Sequence, residues 1–174
     1  GITILIVDGS SLSGNHTGAG TLRFRSGAVG GVLLVESNAN FIVEGNAGKT
    51  LSAITTNRGT LQVSGTGDLT LTGSLDNEGL LDLAGDVRLL TLQVDPRPLR
   101  NTGTIRKSAG PGTAAVGVAG FYGIALTNSG TIEAQSGVLS FFGGGTLDGT
   151  LNTAPGTRLD FTGGFCCAVV DSMS

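Results

Sequence analysis

Asn57-Arg58-Gly59-Thr60-Leu61, Asn77-Glu78-Gly79-Leu80-Leu81, Asn101-Thr102-Gly103-Thr104-Ile105 and Asn128-Ser129-Gly130-Thr131-Ile132 are four copies of one motif, Asn-x-Gly-Thr-Leu/Ile. A fifth copy, Leu147-Asp148-Gly149-Thr150-Leu151, has lost the Asn, and Gly18-Ala19-Gly20-Thr21-Leu22 reads as an early copy. From Asn57 onward, successive copies start 20, 24, 27 and 19 residues apart. A period near 20 with extra residues in some copies is that of a solenoid whose insertions loop out of individual coils. A β-sandwich, the rival architecture, has no reason to repeat this motif.

Outward from the motif, each copy continues with a Gly turn and a short alternating run. Examples are Gly67-Asp68-Leu69-Thr70-Leu71-Thr72-Gly73, Gly137-Val138-Leu139-Ser140-Phe141-Phe142-Gly143 and Gly156-Thr157-Arg158-Leu159-Asp160-Phe161-Thr162-Gly163. Ala39-Asn40-Phe41-Ile42-Val43-Glu44-Gly45 is a looser version. Alternation over three to six residues marks strands with one face inward, and Gly, Asn and Asp supply the turns between them. Runs of strong helix formers are missing. The sequence therefore predicts an all-β chain, a parallel β-helix of roughly eight coils of about 20 residues, forming a rod about 40 Å long. Leu61, Leu81, Ile105, Ile132 and Leu151 are expected in one inward column. Leu69, Leu139 and Leu159 are expected in a second, with Leu71, Phe141 and Phe161 two residues further on. The whole chain, 1–174, is expected to be a single solenoid domain, with divergent coils over 1–54, recognisable repeats over 55–164 and a closing strand and tail over 165–174. Gln93 to Leu99, with Pro96 and Pro98, is expected to bulge from its coil. Ser108 to Thr113 reads as a turn, and the apolar stretch from Ala114 to Leu126, with Phe121 and Tyr122, shows little pattern.

Composition agrees. The 174 residues include 31 Gly, more than twice the usual share, and only 13% charged residues, about half the usual share. The glycines follow no triplet period, so this is not collagen. Two Cys cannot make a disulfide scaffold. No apolar run is long enough for a spanning helix, so no membrane insertion is expected. A net charge of −3, with eight Arg and two Lys scattered, gives no attraction for nucleic acid. The seven apolar residues from Gly1 to Val7 have no basic flank and read as a strand, not a signal peptide. A start at Gly1, without Met, is expected of a processed product or a piece of a longer chain.

Asn101-Thr-Gly-Thr-Ile-Arg-Lys-Ser-Ala-Gly110, Asn128-Ser-Gly-Thr-Ile-Glu-Ala-Gln-Ser-Gly137, the Gly143-Gly-Gly145 run and Leu159-Asp-Phe-Thr-Gly-Gly164 resemble repeats of bacterial extracellular β-solenoid proteins, the autotransporter-passenger-like and haemagglutinin-like surface adhesins. The resemblance covers the chain from about residue 55 and implies an exported, rod-like, non-enzymatic stretch, extracellular or on the cell surface. No catalytic residue transfers with it.

Candidate chemistry is sparse. Asn57, Asn77, Asn101 and Asn128 are expected to occupy equivalent turns and to hydrogen-bond from coil to coil; a carbohydrate-contacting ladder is the alternative. His16, the only His, stands near Ser10 and Asp8, but no nucleophile elbow supports a triad. Asn15-His16-Thr17 matches a glycosylation sequon by its three residues alone. Asp76, Glu78 and Asp82 sit at even positions and are expected on a shared, solvated outer face, with Asp86 following and no cation before Arg88. Gly143-Gly-Gly-Thr-Leu-Asp148 does not fit a calcium-binding nonapeptide, so neither metal nor cofactor is expected. Thr70 and Thr72 would suit an ice-binding face only if repeated on consecutive coils. Cys166 and Cys167 are expected as buried thiols, with an intermolecular disulfide as the alternative. Two apolar segments, with Ile2, Ile4 and Ile6 in one and Phe165, Ala168 and Val170 in the other, are expected to be self-association strands. The expected partners are copies of the chain docked head-to-tail or further coils of a parent chain, with surface glycans as a further possibility. The expected function is a non-enzymatic fibre subunit or adhesin stalk. The alternative is a glycan-binding or glycan-cleaving right-handed β-helix.

Overall fold

The computed structural model describes residues 4–92, 98–118 and 123–166. Among them there is no helix; strands and turns alternate from Ile4 to Cys166. Twenty-four short strands form three parallel sheets of eight, each strand between the two end coils pairing with the strands three before and three after it in sequence. The chain is therefore a β-solenoid of eight coils with three strands per coil. We call the sheets A, B and C in the order in which a coil visits them. The first coil is Ile4–Val7, Ser10–Leu12 and Asn15–Gly18; the eighth is Thr150–Thr153, Arg158–Thr162 and Phe165–Cys166. The segments before Asn57, whose repeat is faint in sequence, follow the same three-strand pattern.

Each residue of the motif has its own reason. Asn ends a sheet C strand. The glycine two residues on lies where consecutive coils pass closest: a Cβ on Gly103 would collide with the Gly79 carbonyl, and one on Gly130 with the Gly103 carbonyl. Those carbonyls accept hydrogen bonds from the next coil, Thr104 N–H to Gly79 at 2.8 Å and Thr131 N–H to Gly103 at 2.8 Å. The Thr opens a sheet A strand facing outward. The Leu or Ile after it points inward.

The sheet A column runs Leu61, Leu81, Ile105, Ile132, Leu151, in the order read from the sequence, and extends back through Phe41 and Leu22 to Leu5. Its members from Phe41 to Ile132 have no exposed surface. A buried Leu or Ile contributes about 1.5–3 kcal/mol, so the stacked columns supply the main cohesion.

The second column differs from expectation. Leu139 does pair with Leu159, and Phe141 with Phe161, whose rings stack at 5.2 Å. Leu69, however, pairs with Leu89, then Val116, then Phe141. Leu69 therefore shares a column with Phe141 and Phe161, not with Leu139 and Leu159. The cause is the corner between sheets A and B. Leu69 lies six residues after Val63, whereas Phe141 lies seven after Ala134, the residue in the Val63 column, so the path around the corner is one residue longer in the seventh coil. Gly67 and Gly137 thus look equivalent in sequence and are not equivalent in space. Likewise Ser108 and Ala109 belong to the strand Thr104–Ala109, and the turn is confined to Gly110–Gly112. Residues 93–97 of the Pro-containing segment, and Phe121 and Tyr122, lie outside the described residues.

Candidate functional site

The most ordered polar feature is the asparagine column. Asn57, Asn77, Asn101 and Asn128 are in register on successive coils of sheet C. Each is the last residue of a strand, not a turn residue, and each amide points into the rod, with at most 1% exposed. Asn57 Nδ2 donates to Asn77 Oδ1 at 2.7 Å, Asn77 Nδ2 to Asn101 Oδ1 at 2.7 Å, and Asn101 Nδ2 to Asn128 Oδ1 at 2.6 Å. The second amide hydrogen also reaches the sheet A strand of the next coil: Asn57 Nδ2 to the Leu80 carbonyl, Asn77 Nδ2 to that of Thr104, and Asn101 Nδ2 to that of Thr131, at 2.9 to 3.1 Å. The ladder thus ties coil to coil and sheet C to sheet A. It has a direction, each amide donating toward the eighth coil. Aliphatic residues bound it, Val35 at one end and Leu147 at the other, and Asn57 Oδ1 is left buried without a hydrogen-bond partner. This inward burial leaves the amides no access to a carbohydrate.

The acids do not share one outer face. Asp76 lies on sheet C, Asp82 on sheet A at 4% exposure, Glu78 at the corner between those sheets and Asp86 at the corner of sheets A and B. Each meets a cation from an adjacent coil. Glu78 pairs with Arg58 at 2.9 Å, Asp82 with Arg106 at 3.2 Å, Asp76 with Arg100 at 3.9 Å and Asp86 with Lys107 at 2.9 Å. Asp68 pairs with Arg88 at 2.7 Å, and Glu44 takes both Arg23 and Arg25. The Arg25 guanidinium, with Arg23 beside it, holds the Glu44 carboxyl below its ordinary range. A signal for these pairs was in the sequence: opposite charges 20 or 24 residues apart, the spacing of the asparagines themselves.

Both lysines of the chain are inside it. Lys107 occupies an inward position between Leu83 and Ala134 and is fully buried; Lys49 pairs with Leu69 in the sheet B column at 2% exposure. Each runs its aliphatic stem through the core and delivers its ammonium to a corner between sheets A and B. Lys107 Nζ donates to the carbonyls of Gly85, Ala109 and Gly110 and to Asp86 Oδ1, at 2.6 to 3.3 Å. Lys49 Nζ donates to the Ala47 carbonyl at 2.6 Å. Burial pushes the Lys49 ammonium below its ordinary pKa, with Asp68 opposing. The Lys107 hydrogen bond, helped by the Gly112 N–H, pulls Asp86 down. In effect, Lys107 is a cation on a tether, filling a ring of turn carbonyls.

His16 faces inward in the first coil, in register with Leu33, and its buried Nε2 has no hydrogen-bond partner. Ser10 Oγ donates to the Asp8 main-chain carbonyl, while the Asp8 carboxylate accepts from Ser26. The three residues therefore do not form a charge relay. Beside His16 opens a cavity of about 500 Å³, lined by Leu5, Leu12, Leu22, Leu33 and Phe41 among others. Ile4 and Ile6, expected to form a self-association strand, are 57% and 49% exposed in Ile4–Val7, which pairs on one side only among the described residues. Phe165 sits in the last sheet C strand, edge-to-face with Phe161 at 5.3 Å. Ile2, Cys167, Ala168 and Val170 lie outside the described residues; Cys166 pairs along the backbone with Thr146. Thr70 lies beside Thr50 on sheet B, but Leu90 takes the next position, so the threonine row ends there.

No protein family, curated protein or solved structure that was compared matches the chain.

Proposed function

We propose that this chain is a non-enzymatic structural β-solenoid of the bacterial cell exterior, a rod segment of a surface fibre or adhesin stalk. One observation carries the proposal: the polar chemistry of the rod runs along its axis. Asp68, Asp76, Glu78, Asp82 and Asp86 are each engaged by a cation of a neighbouring coil, and the asparagine amides are engaged by one another. Acid/base cleavage of a glycan needs two carboxyl groups converging on one bond. These acids are distributed over different faces and serve cohesion. The Gly- and Thr-rich, weakly charged composition, together with the resemblance to exported solenoid repeats, supports placement outside the cell.

Two measurements test this. An antibody to the chain should label intact cells; labelling only after lysis refutes the exterior placement. A polysaccharide panel should remain uncut. Turnover that disappears in Asp76→Ala or Asp82→Ala would overturn the structural role.

A further inference from the structure

The two end coils differ in how their inward positions are filled. In the first coil the inward positions leave the lumen open: Leu5 is 46% exposed, His16 Nε2 is unpartnered, and the cavity of about 500 Å³ lies between them. In the eighth coil the inward positions are bulky, with Leu151, Phe161 and Phe165 only partly buried and packed on the core from one side. One end holds an open cavity; the other presents partly buried apolar side chains. Each also carries three strand edges without a neighbour among the described residues. Such edges template pairing with another chain.

We propose that the eighth coil of one copy docks on the first coil of a second copy, continuing all three sheets in parallel register. This rests on the structural-rod function above and adds its partner and its contact. The columns fix the register. Sheet A places Leu151 of one copy against Leu5 of the next, and Thr150 against Ile4 on the outer face. Sheet C places Phe165 against His16, because Leu33, Thr55, Leu75, Leu99, Leu126, Gly145 and Phe165 follow His16 in one column. The Phe165 ring enters the open lumen and gives the imidazole an aromatic neighbour. Because the two faces differ, the contact is heterologous. The added coil continues the axis and does not close a ring, so the product is a filament.

The test uses the full chain with Cys166 and Cys167 replaced by serine. Ile4→Cys and Thr150→Cys are introduced together; both positions are exposed, so the fold is retained. Paired parallel strands bring Cα atoms to about 4.8 Å, inside the range a disulfide spans. Oxidation should give a ladder of dimers, trimers and higher species on a non-reducing gel. Either single cysteine should give dimers at most. Adding Leu5→Lys, at a half-exposed position whose folding is checked by circular dichroism, should remove the ladder. No ladder from the double-cysteine chain, or a ladder that survives Leu5→Lys, overturns the docking. The rod function fails separately: a chain that labels on intact cells yet never cross-links loses this inference alone, since a rod segment need not dock on a second copy of itself.

Discussion

Replacing Asn101 by alanine breaks the asparagine ladder at an interior rung, and the structure says what that costs. The amide gives up its 2.6 Å bond to Asn128, its 3.1 Å bond to the Thr131 carbonyl and the 2.7 Å bond it accepts from Asn77. Each net hydrogen bond contributes about 0.5–1.5 kcal/mol. Asn128 Oδ1 loses its only side-chain donor and stays buried, a further penalty of about 1–3 kcal/mol. The total is about 2.5–7.5 kcal/mol. Asn128→Leu is the informative comparison, because the next rung is already Leu147. It removes the same 2.6 Å bond but adds apolar contact with Leu147, and Asn101 Nδ2 keeps the carbonyls of Thr131 and Gly103. About 1 kcal/mol is expected. Urea unfolding followed by circular dichroism measures both, and the double variant Asn77→Ala/Asn101→Ala should show a coupling on the order of 1 kcal/mol. If Asn101→Ala costs no more than Asn128→Leu, the ladder is not cohesive and the asparagines need another explanation.

Three further outcomes are expected. Gly103→Ala drives a methyl into the Gly79 carbonyl and should cost more than 2 kcal/mol on the order-of-magnitude scale of overpacking, while Gly48→Ala, which meets nothing, should leave the melting temperature unchanged. Ile132→Asp puts an unpaired charge in the sheet A column and should destabilise by about 4 kcal/mol or more, whereas Thr131→Asp on the opposite face should be nearly silent; equal effects would refute the assigned faces. Asp86 and Glu44 have folded pKa values below their unfolded ones, so their contribution is fully present above the unfolded values, near pH 4, and is lost as pH falls through the lowered ones. The melting temperature should drop on acidification below about pH 4, and less steeply in Lys107→Met, where the largest part of the Asp86 contribution is already gone and the Gly112 N–H alone remains.

The core was legible wherever the spacing from asparagine to inward residue was kept, whatever the length of the coil. Asn57, Asn77, Asn101 and Asn128 each stand four residues before an inward Leu or Ile, and that offset survives every insertion because the insertions fall elsewhere in the coil. Leu69 was misplaced because the path from sheet A to sheet B is one residue longer in the seventh coil than in the fourth, and the turn glycines do not mark a fixed place along it. The ion pairs stayed hidden for a related reason: Asp82 and Arg106 touch across a coil, so neither looks paired within its own segment. Lys107 had a readable parity, two residues after inward Ile105, but a charge argued for the surface. Only the ring of corner carbonyls, invisible in one dimension, explains its place inside. The open lumen beside His16 was likewise illegible, since it depends on which side chains fail to fill a space.

The burial of both lysines has a consequence for how this protein meets reactive chemistry. Lys49 and Lys107 are its only side-chain amines, and each ammonium is held in hydrogen bonds beneath the strands. Acylating reagents, aldehydes and lysine-directed enzymes find no exposed lysine side chain on the folded rod. A lysine that becomes reactive has therefore left its coil. Mass-resolved acylation at these two positions reads local opening separately at the third coil and the sixth, at the resolution of a single corner.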